Sequence, residues 1–356
     1  MFYIKNIKLC NFRCYKEHYQ EFSPKINIII GENAVGKTSL IEAIYALGVT
    51  KSHKTSNDSE MIKQGEEFCF IKGSFLDGSE DVVTCSISSK GKQIIKNEKK
   101  INKISKYLGY YSVVMFCPED VELVKGAPAS KRRFLDINIG QMNPVYLDAL
   151  TNYKKYLKER NQLLKDMNFS QPYSKELLNV INSKLVEEGK KVIKYRSEFI
   201  DLINDYFKKQ VENISSGRES AYIKYVPSTS EENFESELKE KEKLDFITKT
   251  TNCGPHRDDF IINFNGMNSE YASQGQQKTF ALALKLALID VLKLKTNKII
   301  VILDDVFGEL DIIRQKEIIK LIEIDYQIFI TTTSIDHLDI GVLKDSNIIK
   351  IERNCE

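Results

Sequence analysis

Lys25-Ile-Asn-Ile-Ile-Ile-Gly31-Glu32-Asn33-Ala34-Val35-Gly36-Lys37-Thr38 is the stretch that decides the fold. An apolar strand runs to Ile30, a loop with a glycine at each end follows, and Thr38 opens a helical pattern carried by Leu40, Ile41, Ile44 and Leu47. The loop satisfies G-x-x-x-x-G-K-[ST], and strand–loop–helix is the context that motif requires. Amides of the loop and of the first helical turn point inward and cradle phosphates, whose charge the helix dipole favours. Gly31, Glu32, Asn33, Ala34, Val35, Gly36, Lys37 and Thr38 are therefore the expected nucleotide contacts. Lys37 is expected at the β- and γ-phosphates, and the Thr38 hydroxyl on Mg²⁺.

A phosphate loop of this kind needs a carboxylate from a neighbouring strand to hold the metal. Ile299-Ile-Val-Ile-Leu303-Asp304-Asp305 supplies one at the C-terminal end of an apolar strand, the end at which α/β sheets bind ligands. Asp304 is the expected metal ligand, and Asp305 is placed to orient or deprotonate an attacking water. A third element, Ala272-Ser273-Gln274-Gly275-Gln276-Gln277, stands ahead of a long apolar helix expected over Gln276 to Leu294. The Ser273 hydroxyl, the Gly275 amide and the helix dipole would give a second phosphate-facing helix start, although the same residues also suit an ordinary helix cap. One chain already carries its own phosphate loop. A second such edge implies two chains sandwiching the nucleotide, as in ABC-type ATPases, with ATP and Mg²⁺ as cofactors.

Composition agrees with this class and excludes others. A chain of 356 residues suggests two domains or three. With 42% hydrophobic and 29% charged residues it can bury a full core, which rules out global disorder. The longest apolar runs, Ile28 to Ile30 and Ile299 to Leu303, are strand-sized, far short of a membrane span. Met1 to Cys10 alternates apolar residues with Lys and has no signal-like apolar core, so a cytoplasmic protein is expected. Basic and acidic residues nearly balance at 52 and 50, but 43 of the basic ones are Lys and only 9 are Arg, which reads as a Lys-coated solvated surface. Seven cysteines form no C-x-x-C pair; they are expected to be reduced thiols, and the Cys10/Cys14 spacing is not completed to a metal quartet.

The first third reads mainly as strands: Tyr3 to Leu9, Lys25 to Ile30, Phe68 to Phe75, Val82 to Ser88, Gln93 to Lys96 and Tyr111 to Phe116, with Asp77-Gly78 and Lys90-Gly91 as turns. The segment around Arg13 reads as a connection. The middle turns helical. Apolar residues at spacings of three and four over Pro144 to Asp166, and again from Ser174 through Tyr206, predict an antiparallel hairpin with arms of about 35 to 55 Å. Glu231 to Asp245 reads as a solvated helical stretch. The last third returns to α/β, with strands at Asp258 to Phe264, Lys298 to Leu303, Gln327 to Thr332 and Asn347 to Ile351, and a helix over Asp311 to Ile324. The expected organisation is an ATPase head over 1–118 and 251–356, with a mainly helical lobe over 119–250.

Ile4 to Arg13, the phosphate loop and Leu40-Ile-Glu42-Ala-Ile together resemble an SMC/Rad50-type head. Four further stretches narrow the resemblance to the bacterial RecF family of recombination mediators: Lys51-Ser-His-Lys-Thr-Ser56; Phe116-Cys-Pro-Glu-Asp120 with Arg132-Arg-Phe-Leu-Asp136; Gly254-Pro-His-Arg-Asp-Asp259; and Ser273-Gln-Gly-Gln-Gln277 with Leu303 to Asp311. The resemblance runs nearly end to end. It implies ATP-dependent homodimerisation on duplex or gapped DNA, slow ATP hydrolysis, and work with RecO and RecR in loading RecA. By position it places Lys37 and Thr38 at phosphate and metal, Ser273, Gly275 and Gln276 on the partner's ATP, Asp304 and Asp305 as the acidic pair, and Asp311 at the dimer interface.

The chain also departs from the expected pattern. Lys54 stands where the family has Arg, Gly308 where it has Ser, and Asp305 where broader ABC ATPases have Glu, a reach shorter by one methylene that predicts slow turnover. Thr331-Thr-Thr333 lies where transport ATPases carry a switch histidine, and His337 stands further downstream. An SMC-like repair head of another kind, a transporter subunit, and a DNA clamp without hydrolysis are the rival readings. For the DNA surface, Lys54, Lys131, Arg132 and Arg133 are the leading candidates, with Lys51, Lys154, Lys155, Lys158 and Arg160 behind them. His256-Arg257-Asp258-Asp259 reads as a structural turn rather than a metal cluster, with Arg257 as a possible interface residue.

Overall fold

A computed structural model describes residues 1–55, 57–166, 173–306, 315, 326–335, 338 and 346–352. The chain divides into two compact units, one of residues 1–120 and 288–356, the other of residues 121–287.

The first unit holds two sheets. One is antiparallel, built from β1 (Tyr3–Phe12), β2 (Tyr15–Glu21), β4 (Phe68–Asp77), β5 (Ser79–Ser88), β6 (Gly91–Lys96) and β7 (Lys99–Ile101), in the order β2-β1-β4-β5-β6-β7. The other is parallel, built from β3 (Ile26–Ile30), β8 (Ser112–Phe116), β12 (Ile299–Asp304), β13 (Gln327–Thr332) and β14 (Ser346–Lys350), in the order β14-β3-β13-β12-β8. Its three central strands are buried almost throughout, which explains why their sequences are mostly Ile and other apolar residues rather than alternating. Helix α1 (Lys37–Val49) packs against strands of both sheets, and so is apolar nearly all round rather than amphipathic. Gly48 lets it approach closely: a Cβ there would stand 2.4 Å from the Val113 side chain. At the start of β13 the Gln327 amide bonds the Ile4 amide and carbonyl, clasping the bulge in β1.

Arg13 does lie in a connection, but the segment leading from it to β3 contains a strand that the sequence reading missed. β2 pairs with β1 from Phe12↔Tyr15 to Asn6↔Glu21, turning at Arg13 with a left-handed φ of 52°. Its sequence, Tyr-Lys-Glu-His-Tyr-Gln-Glu, buries little beyond Tyr15, so it carries no apolar alternation to read.

The second unit begins with α2 (Glu122–Lys125) and α3 (Pro128–Met142) and continues into the hairpin of α4 (Pro144–Asp166) and α5 (Tyr173–Ser215). Arg160 meets Asn182 and Tyr146 meets Arg196, so the arms run antiparallel as expected. At 43 residues α5 spans about 65 Å, longer than the sequence suggested, because it continues past the hairpin onto β9 (Ala221–Val226). α6 (Phe234–Glu240) and α7 (Glu242–Thr248) follow; Phe234, Leu238 and Asp245 are buried, so this stretch is only partly a solvated face. β9, β10 (Asp259–Phe264) and β11 (Met267–Asn268) form a small sheet, whose β10–β11 hairpin turns at Asn265-Gly266 with both φ angles positive. Helix α8 (Gln274–Lys293) then leads back to the first unit. The helix expected over 311–324, the turn between the hairpin arms, Gly308, Asp311 and His337 lie outside the described residues.

Candidate functional site

The phosphate loop is shaped by two close approaches. A Cβ on Gly31 would stand 2.4 Å from the Ile351 carbonyl oxygen, and one on Gly36 would meet the Tyr15 hydroxyl at 2.7 Å. Gly36 also takes a φ of 114°, in the region glycine alone enters freely, and its carbonyl accepts from the Tyr15 hydroxyl at 3.1 Å. Glu32, Asn33 and Ala34 are exposed, whereas Lys37 is only 4% exposed. The Lys37 ammonium donates to the carbonyls of Gly31 (2.8 Å) and Glu32 (2.9 Å), which hold it stretched beneath the loop at the helix start.

At the strand ends beside it three groups converge. Thr38 Oγ1 lies 3.4 Å from Asp304 Oδ1, and the same oxygen accepts from Thr331 Oγ1 at 2.6 Å. Thr331 in turn accepts from the Asp305 amide at 3.0 Å. Because β13 sits between β3 and β12, Thr331 is the side chain placed to fix the Asp304 rotamer. Burial raises the Asp304 pKa, the Thr331 hydrogen bond opposes that, and the neighbouring Asp305 charge adds to it. Asp305 is exposed and holds a φ of 51°, a strained backbone for a non-glycine residue. The Asp304 carboxylate and the Thr38 hydroxyl are oxygen donors that suit a hard divalent cation such as Mg²⁺, with the buried Lys37 ammonium beside them for phosphate.

A second network, to which the sequence reading gave no role, organises the other flank. Arg13 makes a bidentate pair with Glu42 (2.7 and 2.6 Å) and donates to the Glu60 carbonyl at 2.6 Å. Burial raises the Glu42 pKa, but the bonds from Arg13 and Ser52 outweigh it and leave the carboxyl ionised, below its usual value. Ser52, itself bonded to Glu42, accepts the amides of Lys54 (3.0 Å) and Thr55 (3.2 Å), pinning that loop to α1. Burial pushes the His53 ring down to about 4. Arg13, Glu42 and Ser52 each lie in a quoted motif, but 29 and 10 residues of separation hide their contact.

In the second unit Ser273 and Gln276 make a reciprocal capping box on α8. The Gln276 amide donates to Ser273 Oγ at 3.3 Å and the Ser273 amide to Gln276 Oε1 at 3.0 Å. The segment caps the helix, and it leaves Ser273 and Gly275 exposed at the N-terminus, with open space around Gly275.

The expected DNA contacts need correction. Lys131 is 1% exposed, lies 3.8 Å from the Asp259 carboxylate and stands over the Phe260 ring, so it is a core cation and not a phosphate contact. Arg160 is wholly buried and paired with Asp245 at 2.7 Å and with Thr251 and Asn182. Arg132 is half-buried and donates to the Asp258 carbonyl; Arg133 is half-buried too. Lys154 and Lys155 meet Asp136 and Glu159. Lys54 is exposed, and its charge acts on Asp304, which sets it on the nucleotide flank. Asp258 is buried against Arg196, Tyr225 and the Ser228 amide, and His256 bonds Tyr153, so this segment is a structural turn. Among the described residues no group of three or more potential ligands could hold a metal by itself.

A phosphate loop on β3, an acid on β12, a central strand between them and a capped serine ahead of a long helix define an ABC-type ATPase head of the SMC kind. The RecF/RecN/SMC N terminal domain family matches residues 3–352. The DNA replication and repair proteins RecF of Bacillus cereus (strain G9842) and Bacillus anthracis (strain A0248) are each 41% identical over 370 aligned positions, covering 99% of both chains. The chain belongs to the RecF family. A solved structure of the recombination mediator protein RecF–ATPrS in the RecFOR pathway superposes with a TM-score of 0.89 at 34% identity, covering 99% of this chain and 96% of that one. The Smc head of Pyrococcus furiosus, at 17% identity and a TM-score of 0.55, shares the fold.

Proposed function

We propose that this chain is a DNA replication and repair ATPase that binds ATP·Mg²⁺ at the phosphate loop and closes as a homodimer on duplex and gapped DNA. The observation that carries this reading is the meeting of Thr38, Asp304 and Thr331 beside a buried Lys37. Lys37 neutralises the β- and γ-phosphates, the loop amides orient them, and Thr38 and Asp304 hold the cation. Mg²⁺, when bound there, would offset charge on the phosphate oxygens and fix the geometry of transfer. Asp305 orients the attacking water. Ser273, Gly275 and Gln276 act on the nucleotide of a partner chain, so one chain alone hydrolyses ATP poorly. Cooperation with RecR, and through it with RecO and RecA, is part of the same proposal and rests on the family resemblance.

The test is steady-state ATPase rate against protein concentration, with and without duplex DNA. Specific activity is expected to climb with concentration, and to climb earlier with DNA. A flat activity indifferent to DNA would mean that the site is complete within one chain.

Asp305→Asn is expected to lower kcat by about 10² to 10⁴, the range spanned by general-base contributions, with nucleotide affinity within about twofold. Its ATP-bound dimer should persist in size-exclusion chromatography. If the variant behaves as the parent does, Asp305 orients no water and the clamp works without hydrolysis.

A further inference from the structure

Of the cations expected to meet DNA, Lys131 and Arg160 are core residues, and a dense run of lysines lies elsewhere. Residues 88–106 hold seven lysines and one acid, Glu98, in a chain whose net charge is only +2. Two of the seven have partners: Lys92 meets Asp58 at 2.9 Å, and Lys96 meets Asp81 at 3.1 Å and covers the Tyr110 ring. Lys90, Lys99, Lys100, Lys103 and Lys106 are exposed, and among the described residues no carboxylate lies within 4.0 Å of their ammonium groups. The sheet register extends the patch. Lys8 pairs directly with Lys72, Lys72 with Thr84, Thr84 with Ile95 and Ile95 with Lys100, so all five residues lie in one row on the same face. Lys8 and Lys72 are both exposed, and like charges directly opposite each other destabilise a sheet.

A fold that keeps such a pair, with Lys100 three strands away in the same row, is arranged for an external polyanion. We infer that the β6–β7 hairpin, its continuation to Lys106, and the Lys8/Lys72 row bind the phosphate backbone of duplex DNA. This inference rests on the DNA reading above and adds where the duplex lies. The chemistry is that of backbone attraction without base reading. Every cation is Lys, a point charge on a flexible stem, with no Arg fork to take a base edge. Among the described residues, the acids on the exposed face of this sheet's register are Glu17 and Glu21, on β2 at the far edge from the hairpin, and Glu80 at the start of β5, which Lys5 meets at 3.9 Å. The patch carries none of the apolar helical face that a membrane-lying segment needs.

The experiment measures binding of a 30-base-pair duplex by fluorescence anisotropy, in ATP, between 50 and 200 mM salt. The parent is compared with the Lys99→Ala/Lys100→Ala/Lys103→Ala variant. Each neutralised phosphate contributes a slope of about −0.9 in log affinity against log salt. The variant is therefore expected to show a slope shallower by two to three units and at least tenfold weaker binding at 100 mM. Its nucleotide affinity and thermal midpoint should match the parent, because none of the three side chains is buried. The Lys→Arg counterpart should restore most of the binding. Unchanged DNA binding in the alanine variant would overturn this placement and leave the DNA reading standing. A parent protein that fails to bind duplex at 50 mM salt would overturn both. Equal loss of binding to phosphatidylserine vesicles, with DNA binding intact, would assign the patch to a lipid surface instead.

Discussion

Replacing Lys37 by Ala is expected to weaken ATP binding at least 100-fold and to leave the fold intact. The ammonium is buried and already aimed along the loop by two carbonyls, so almost no ordering entropy remains to be lost when phosphate arrives. A hydrogen bond to a charged group is worth about 1.5–3 kcal/mol, and an ammonium shared between two phosphates makes more than one. The carbonyls left behind belong to Gly31, half-exposed, and Glu32, exposed, so water can satisfy them and the thermal midpoint should shift little. Lys37→Arg should fail as well: a planar fork does not fit where a compact point charge lies under the loop. Calorimetric titration with a non-hydrolysed ATP analogue decides the matter. Affinity within tenfold of the parent in both variants would mean that this loop does not cradle the phosphates.

The largest stability effect is expected at Arg196. This guanidinium, 2% exposed, donates to Asp258 Oδ2 (3.0 Å), Asp136 Oδ1 (2.8 Å) and the Pro255 carbonyl (2.6 Å), and contacts the Tyr146 hydroxyl at 3.2 Å. Arg196→Met keeps the stem but strands the buried Asp258 carboxylate and leaves Asp136 with Lys154 alone as its cation, a loss of about 3–5 kcal/mol. For a unit of this size that is a fall of roughly 6–20 °C in the thermal midpoint. The pH dependence carries a signature. Burial raises the Asp136 pKa, but Arg196 and Lys154 outweigh it and bring the carboxyl down to about 2. A carboxyl depressed in the folded state contributes stability above its unfolded value near 3.8, and loses it as pH falls towards 2. The parent should therefore weaken over that window. In Arg196→Met the slope should flatten, because only Lys154 then remains as a cation to hold the Asp136 carboxyl down. A midpoint within 2 °C of the parent at neutral pH would show that the network is dispensable.

Much of this molecule was legible in order along the chain. The phosphate loop, the acid at the end of β12 and the Asp77-Gly78 turn are local patterns, and each forms where its residues stand. What could not be read depends on register between distant strands. β2 has no apolar face to announce it, and β13 had to be known to lie between β3 and β12 before Thr331 could be seen as the partner of Asp304. Charge misled in both directions for the same reason. Arg160 and Lys131 look like surface cations until Asp245 and Asp259 arrive from elsewhere, and Lys90, Lys99, Lys100, Lys103 and Lys106 look like ordinary solvated residues until it is seen that no carboxylate of the described residues lies beside them.

The place of β13 also has a consequence for how the protein is made. Its pairing of Ile330 with Ile28 joins residues about 300 apart, and the Thr331–Asp304 bond waits on the same strand. At roughly 5–20 residues per second a ribosome needs about 15–60 s to travel that distance. Throughout that time the glycine loop is already outside the exit tunnel, while the hydroxyl that steadies its acidic partner is unsynthesised. The intervening unit, residues 121–287, can fold while the first half of its neighbour waits open. A nascent chain of this family therefore gains a working nucleotide site only as one of the last events of its own synthesis, and fragments released early are catalytically silent.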